Sequence, residues 1–235
     1  MDKILIIIPT YNENSNIDIL IKSIFNKNLE FNILIVDDNS TDGTLEKIYE
    51  LKKIYKNLFL LKRPNKMGVG SAHIDGIKWA YQNYYLRVIT MDGDLTHSTD
   101  KIDDFIEKGK NFDLVIGSRF LDKSSLKDWD LHRKILTRLG HFCTKFLLGI
   151  KYDASGGFRF YKLNIIPIEI FEKISSKGYS FFMESIFIIQ RHNFSISEIQ
   201  LQLPKRIYGS SKMTVYDIIK SLLVLQRLIL VRIFL

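Results

Sequence analysis

The feature that most constrains the fold is an alternation of short apolar runs with longer segments of helical character. The runs are rich in isoleucine, leucine and valine, as buried strands are. Strand and helix alternate five times in the first half of the chain, which favours a mostly parallel sheet with helices on both faces. The predicted strands are Ile4–Ile8, Ile33–Val36, Leu58–Leu61, Leu86–Met91 and Asp113–Ile116, and a helix is predicted near Thr44–Ile54. The sequence therefore predicts an α/β fold.

The second half of the chain is less regular. A helix is predicted over Asp130–Leu148, with Gly149 as its stop, and another over Gly178–His192. Residues Ser155–Arg159 are typical of a turn that leads into a short strand, and Ser195–Leu203 is a further predicted strand. A length of 235 residues allows one large domain, here residues 1–213, followed by a helix over 214–235.

Polar residues follow each predicted strand of the first half, where ligands bind in parallel sheets. Asp92-Gly93-Asp94 closes the central strand, and two carboxylates two residues apart on extended backbone point to the same side. Such a pair suits Mg²⁺ or Mn²⁺ shared with substrate phosphates, although Asp-Gly is also ordinary turn chemistry. Asp37 and Asp38 end the second strand, where acidic side chains bind ribose or base edges or simply cap the next helix.

Composition narrows the class of partner. The 34 basic and 26 acidic residues give a net charge of +8, which favours an anionic partner. The basic residues of the second half recur singly, which indicates discrete phosphate sites rather than a nucleic-acid surface. A single cysteine, Cys143, excludes an intrachain disulfide framework and fits a reducing compartment. The five histidines show no metal-ligand spacing, so none is given a function.

Taken in order, the motifs resemble those of glycosyltransferase family 2, with its Rossmann-like GT-A nucleotide-sugar fold. Within that family the likeness is to the dolichyl-phosphate (polyprenyl-phosphate) mannose synthases, and it covers nearly the whole chain. The segments that carry it are Ile8–Glu13, Val36–Thr44, Gly68–Ala72, Met91–His97, Gly117–Phe120, Trp129 with Arg133, Gly156–Arg159 and Arg206–Lys212. The resemblance implies an inverting, metal-dependent transfer of mannose from GDP-mannose to a polyprenyl phosphate.

The resemblance also implies roles for single residues. Asp92 and Asp94 would hold Mg²⁺ or Mn²⁺ against the donor diphosphate. Thr96 stands where many relatives have glutamine, and a hydroxyl is a weaker metal ligand, so its part as a ligand is doubtful. The nucleotide-sugar pocket would be formed by Pro9, Tyr11, Glu13, Val36 and Asp38, with Arg206 and Lys212 facing the diphosphate. The acceptor phosphate would be bound by Arg119, Arg133 and Thr137.

These residue types suit the chemistry. A departing diphosphate needs its charge stabilised by a cation and by fixed donors, and arginine binds phosphate in a bidentate way. A lipid phosphate is already anionic, so no strong general base is required. Asp94, Arg119 and Arg133 are therefore the catalytic candidates, and Asp94 or Glu184 would serve if a base exists.

The C-terminal segment Thr214–Leu235 is apolar, with its charged residues confined to one arc of a helix. Lys220 and Arg227 interrupt the run, which disfavours a spanning helix and favours an amphipathic helix on a membrane surface. The alternative is that the apolar stripe packs on the domain or in a homodimer. We expect a peripheral protein on the cytoplasmic face of a membrane, anchored by this helix, by a membrane subunit or by a second copy.

Three other functions fit parts of the sequence. A family member that uses a UDP-sugar donor or a sugar hydroxyl as acceptor would share most motifs, and the hydroxyl acceptor would need a general base. A non-catalytic nucleotide-binding scaffold is disfavoured by the intact Asp92 and Asp94 pair. Nucleic-acid binding rests on the net charge alone and is not expected to be tight.

Overall fold

A computed structural model describes residues 3–127, 129–204 and 214–234 of the chain. The strands are β1 (Ile4–Thr10), β2 (Asn32–Asp37), β3 (Leu58–Lys62), β4 (Arg87–Thr90), β5 (Leu114–Ser118), β6 (Arg159–Lys162) and β7 (Ile196–Gln200). The α-helices are α1 (Ile17–Lys27), α2 (Thr44–Ile54), α3 (Val69–Gln82), α4 (Ile102–Lys108), α5 (Leu131–Leu148), α6 (Ile168–Glu172), α7 (Phe181–Arg191) and α8 (Val215–Phe234).

The strands form one seven-stranded sheet in the order β3-β2-β1-β4-β6-β5-β7. Every neighbouring pair is parallel except those of β6, which runs antiparallel to both β4 and β5. The prediction of a mostly parallel α/β sheet is confirmed. The chain enters β6 from Gly156 and Gly157, at the edge of the sheet where β4 and β5 end, so β6 has to run in the opposite direction.

The sheet buries an apolar layer on each face. In β1, Leu5 and Ile7 belong to one buried cluster while Ile6 and Ile8 belong to the other, because successive side chains of a strand point to opposite faces. Helices α3, α6 and α7 cover the first face, and α1, α2 and α4 cover the second. Helices on both faces are what the alternating sequence predicts.

The sequence pattern predicts the longer helices but not the shorter ones. The predicted helix Thr44–Ile54 coincides with α2, and α5 ends at Gly149, whose φ of 69° is the left-handed conformation that glycine favours. The pattern predicts neither α4 nor α6, which span 7 and 5 residues. Segments so short carry too little periodicity to be recognised.

One face of α8 packs on the domain. Leu228 is buried, and Arg227 forms an ion pair with the buried Glu184 of α7 at 2.6 Å. Arg232 donates to the carbonyl oxygens of Phe146 and Leu147 at the end of α5. The remaining face keeps large apolar side chains exposed. None of the helices in the described ranges has the length and apolar character needed to cross a membrane.

His73 of α3 predicts a pH-dependent stability. It is buried against Phe181 and Phe182, and neither ring nitrogen has a hydrogen-bond partner among the residues that the structure describes. Burial, with smaller effects of the Arg159 and His97 charges, lowers the pKa of His73 from 6.5 to about 3. The unfolded chain binds this proton at higher pH, so stability is complete above pH 6.5 and falls as pH decreases toward 3.

From this group alone, the free energy of unfolding should fall by about 3 kcal/mol between pH 7 and pH 4. The variant His73→Leu should lack that component. Urea unfolding of both proteins at pH 7, 5.5 and 4 measures the difference. Equal pH slopes for the two proteins would show that His73 does not titrate in this way.

Candidate active site

The polar loops meet at one edge of the sheet. Strands β1, β2, β3, β4 and β5 share one direction, so their carboxyl ends lie side by side. Thr10 pairs with Asp37, and Asp37 with Lys62, at the last rungs of the ladder. The loop at Gly156 and Gly157, which precedes β6, reaches the same edge, so this edge is the candidate site.

The predicted carboxylate pair follows β4 directly. The Asp92 side chain is 37% exposed, whereas the Asp94 residue is only 6% exposed. Gly157 lies against Asp92, since a Cβ at Gly157 would come within 2.8 Å of Asp92 Oδ1. A side chain at Gly157 would therefore displace the carboxylate. The loop geometry brings both acids to the sheet edge.

His97 supports Asp92. Its Nδ1 accepts a hydrogen bond from the Asp92 backbone N–H at 3.0 Å, and its Nε2 lies 3.7 Å from Asp92 Oδ2. The imidazole is buried and stacks on Phe158 with ring centres 4.8 Å apart. His97 shows no metal-ligand spacing in the sequence, so no function was predicted for it. Its position directly after the acidic motif is the signal that could have found it.

Thr96 contacts Asp94 rather than standing apart as a third ligand. Its hydroxyl donates to Asp94 Oδ1 at 2.6 Å and its N–H donates to the same oxygen at 3.1 Å. Both bonds fix the rotamer of the Asp94 carboxylate. Thr96 thus orients a predicted ligand, and its own part as a ligand stays a prediction.

The donor set fits a hard divalent cation that is shared with substrate. Asp92 and Asp94 offer carboxylate oxygens, which Mg²⁺ and Mn²⁺ prefer. Across the described ranges, no group of three or more histidine, cysteine or acidic side chains forms a cage of protein ligands. Mg²⁺ is commonly bound by one or two carboxylates together with waters and phosphate oxygens, and this pair matches that pattern.

The loop after β1 borders the acidic motif. Gly93 lies next to Glu13, whose Cγ would be 3.5 Å from a Cβ at Gly93. The Glu13 carboxylate accepts from the Asn16 side chain at 2.7 Å, and Pro9 is half-buried at the end of β1. The Lys66 ammonium lies 4.0 Å from the centre of the Tyr11 ring. Pro9, Tyr11 and Glu13 are therefore brought together beside Asp92-Gly93-Asp94, and Lys66 is an additional cation there.

Val36 and Asp38 are held more deeply. The Val36 side chain is wholly buried in the core, so only its backbone is near the loops. The Asp38 carboxylate is also buried; it pairs with Arg63 at 2.7 Å and accepts from the N–H groups of Met67 and Gly68. These bonds tie the end of β2 to the loop that starts α3. The part of both residues in a nucleotide pocket stays a prediction.

Arg119 follows β5 and is held by Asp153, a residue that the sequence analysis did not single out. Arg119 Nε and Nη2 donate to the two Asp153 oxygens at 2.8 and 2.7 Å, and both residues are buried. Burial acts to lower the pKa of Arg119, but the charge of Asp153 and, to a lesser extent, that of Asp92 leave this pKa raised. Burial likewise acts to raise the pKa of Asp153, and Arg119 lowers it to about 2.

Trp129 brings the two predicted acceptor arginines together. The guanidinium carbons of Arg133 and Arg119 lie 3.6 and 5.9 Å, respectively, from the centre of the Trp129 ring. The indole N–H of Trp129 donates to the Leu203 carbonyl oxygen at 3.1 Å, which fixes the ring. Thr137 lies one helical turn after Arg133 on the same side of α5. Trp129 thus contacts the exposed Arg133 and the buried Arg119, and loop 155–157 joins Arg119 to Asp92, because Ser155 accepts from Arg119 and Gly157 lies against Asp92 Oδ1.

Three further predicted residues have other outcomes. Arg206 and Lys212 lie outside the described residues, so their roles stay predictions. Glu184 is buried under α8, where its carboxylate accepts from Arg227 and from the N–H groups of Ser175 and Ser176. That environment commits Glu184 to an ion pair and disfavours it as a general base.

Comparison with known proteins identifies the relatives of this chain. A family model described as "Glycosyl transferase family 2" matches residues 5–167. The chain is 30% identical over 215 residues to "Polyprenol monophosphomannose synthase" of Mycolicibacterium smegmatis, covering 89% of this chain and 80% of that protein. It is also 30% identical over 213 residues to "Undecaprenyl-phosphate mannosyltransferase" of Micrococcus luteus, covering 90% and 88%.

A solved structure shows the same fold. Glucosyl-3-phosphoglycerate synthase from Mycobacterium tuberculosis, in complex with Mn²⁺, uridine diphosphate and phosphoglyceric acid, superposes with a TM-score of 0.62. The match covers 98% of this chain and 78% of that one at 16% sequence identity. The GT-A fold predicted from the motifs is confirmed.

Proposed function

Because the chain belongs to glycosyl transferase family 2, we propose that this glycosyltransferase moves mannose from GDP-mannose to a polyprenyl phosphate, with inversion and with Mg²⁺ or Mn²⁺. The observation that carries the proposal is the pair of arginines on Trp129, the exposed Arg133 and the fixed donor Arg119. Loop 155–157 joins them to the Asp92 and Asp94 pair, since Ser155 accepts from Arg119 and Gly157 lies against Asp92 Oδ1. A site for an anionic acceptor thus adjoins a site for a diphosphate donor. The names of both 30% identical relatives include a polyprenol or undecaprenyl phosphate product or acceptor.

The donor half of the site is formed by the loops after β1, β2 and β4. Pro9, Tyr11 and Glu13 border the acidic motif, and the nucleotide would lie over them. Asp92 and Asp94 would hold the divalent cation, with His97 and Thr96 fixing the two carboxylates. When bound, this cation supplies positive charge to the departing diphosphate. Val36, Asp38, Arg206 and Lys212 complete the proposed donor site.

The acceptor half positions a phosphate monoester for attack. Arg119 and Arg133 would bind the phosphate, with Thr137 beside them, and bring one of its oxygens to the anomeric carbon of the sugar. A bond forms between that oxygen and the anomeric carbon, while the bond to the β-phosphate oxygen breaks and the nucleoside diphosphate leaves with the electron pair. The acceptor is anionic at neutral pH, so no proton has to be removed from it, and positioning supplies much of the acceleration.

The ion pair of Glu184 favours this acceptor over a sugar hydroxyl. A hydroxyl acceptor needs a general base, and Glu184 was the candidate for that role apart from Asp94. Its carboxylate is committed to Arg227 at 2.6 Å and lies between α7 and α8. A phosphate acceptor makes no such demand on the site.

We also propose that the protein binds the cytoplasmic face of a membrane through α5 and α8, with no nucleic-acid partner. The two helices contact each other. Their exposed large apolar side chains, here called the apolar face, are Leu131, Ile135, Leu136, Leu139, Phe142 and Phe146 of α5 and Val215, Tyr216, Ile218, Ile219, Leu222, Leu223, Leu230, Ile233 and Phe234 of α8. A contiguous surface of this size marks a protein or membrane contact.

The charge next to the apolar face suits an anionic bilayer. Arg138, Lys145 and Lys220 are exposed on the same two helices, and Arg133 begins α5. Basic residues near an anionic leaflet each contribute about 1 kcal/mol. Because α5 also carries Arg133 and Thr137, a membrane bound to this face would deliver a lipid phosphate directly to the acceptor site.

Transfer of labelled sugar tests the function. The purified protein with Mn²⁺ should convert GDP-mannose and a polyprenyl phosphate to a lipid-linked mannose, at a rate at least about 10-fold above that with UDP-glucose or with the unphosphorylated polyprenol. Faster transfer from a UDP-sugar would overturn the donor assignment. Equal transfer to the free polyprenol would overturn the phosphate acceptor.

A further inference from the structure

Asp153 and Ser155 together hold Arg119, and the two are here called the bracket. Three nitrogen atoms of Arg119 donate to them: the backbone N, Nε and Nη2. The two side chains form parallel hydrogen bonds at 2.8 and 2.7 Å, and the Arg119 backbone N–H donates to Asp153 Oδ2 at 3.1 Å. Nη2 of Arg119 also donates to the Ser155 hydroxyl. Asp153 is fully buried, and its own N–H donates to Glu198 at 2.7 Å. The backbone and the side chain of Arg119 are thus fixed by one carboxylate.

This arrangement leaves one edge of the guanidinium for a ligand. Arginine has five N–H groups, of which Asp153 and Ser155 accept those of Nε and Nη2. Within the part of the chain that the structure describes, no group accepts a hydrogen bond from Nη1. The bracket therefore turns a long and flexible side chain into a donor with a single direction.

Arg119 and Arg133 differ in the kind of interaction that each offers an anionic ligand. Arg119 and Asp153 are a buried pair without net charge, so Arg119 contributes directed hydrogen bonds more than long-range attraction. Arg133 is exposed on Trp129 and supplies attraction that salt would screen.

We propose that Asp153 is a positioning residue of this enzyme: it fixes Arg119 so that Nη1 faces the acceptor phosphate. The inference rests on the proposed function, because it assigns Arg119 to the acceptor. Asp153 itself contacts no substrate. Ser155 completes the bracket, so its hydroxyl has a smaller part in the same role.

Kinetics of Asp153→Asn with GDP-mannose, Mn²⁺ and a short-chain polyprenyl phosphate test the inference. We expect kcat/KM for the acceptor to fall on the order of 100-fold, while KM for GDP-mannose changes less than about 3-fold. Ser155→Ala, which removes only one acceptor of the bracket, should lose roughly 3- to 10-fold in the same parameter. Ser155→Ala keeps the test decisive if Asp153→Asn does not fold.

Asp113→Asn is the control, because Asp113 accepts hydrogen bonds from the Ser195 N–H and hydroxyl but lies just before β5, at the opposite end of that strand from the candidate site. It should lower the melting temperature but leave kcat/KM for the acceptor unchanged. The double variant Arg119→Gln/Asp153→Asn should be no slower than Arg119→Gln alone, because Asp153 acts only through Arg119. Losses that add in the double variant, or equal acceptor kinetics in wild type and Asp153→Asn, would overturn the inference.

The failure of the proposed function gives a different result. If the wild-type protein transfers sugar to no polyprenyl phosphate, the proposed function fails, and the role of Asp153 fails with it. If the wild type is active and the Asp153 and Ser155 variants have the same kcat/KM for the acceptor as the wild type, the function stands and the positioning role alone is wrong.

Discussion

Replacing Asp92 or Asp94 by alanine is expected to slow sugar transfer by roughly 1,000-fold or more. Each change removes half of the carboxylate pair that would hold the cation against the donor diphosphate. Thr96 orients the buried Asp94, and His97 supports Asp92. No neighbouring side chain can therefore bring its own oxygen atoms to the cation unless the loop moves. Initial rates at saturating GDP-mannose and Mn²⁺ measure the loss.

Asp100→Ala is the control for this prediction. Asp100 lies close by in the chain but is exposed and accepts only from Ser98 among its hydrogen-bond partners of the described region. Its removal should change the rate less than about 2-fold, as for most surface substitutions. Near-normal transfer in either Asp92→Ala or Asp94→Ala would contradict the assignment of the pair to a metal.

Removal of the α5 part of the apolar face should strongly weaken membrane binding. The variant with serine at Leu136, Leu139, Phe142 and Phe146 removes four exposed side chains from α5. A large apolar side chain contributes about 1.5–3 kcal/mol when it leaves water completely. Even partial insertion of four such groups predicts a fall in affinity for vesicles of at least about 100-fold. Co-sedimentation with vesicles that contain anionic lipid measures it.

The control carries serine at Ile54 and Tyr84, which are equally exposed but lie outside α5 and α8. It should bind vesicles as the wild type does. The four-serine variant should still use a short-chain, water-soluble polyprenyl phosphate, because the acceptor residues are unchanged. Equal vesicle binding by wild type and the four-serine variant would show that the apolar face contacts something other than a membrane.

Features that depend on residues close together in the chain were predictable from the sequence. The strands of the first half and the helix over Thr44–Ile54 follow from hydrophobic periodicity, which the structure reproduces. Asp92 and Asp94 are two residues apart in the chain, so their convergence at a strand end required only the assumption of a parallel sheet. The resemblance to known motifs supplied Arg119 and Arg133, which Trp129 then brings together.

Residues whose roles depend on tertiary contacts were not predictable in the same way. Asp153 lies 34 positions from Arg119, and only the antiparallel insertion of β6 between β4 and β5 brings the two loops together. Glu184 was a candidate base in the sequence, where its partner could not be recognised. The structure shows why it is there: α8 returns across α7 and supplies Arg227.

The account depends on a cation that is held jointly by this carboxylate pair and a nucleoside diphosphate. Electron paramagnetic resonance of Mn²⁺, titrated into the wild-type protein and into Asp94→Ala with and without GDP, tests that dependence directly. We expect GDP to tighten Mn²⁺ binding to the wild type at least about 10-fold and to have no such effect on Asp94→Ala. Equal Mn²⁺ binding by both proteins in the presence of GDP would contradict the account.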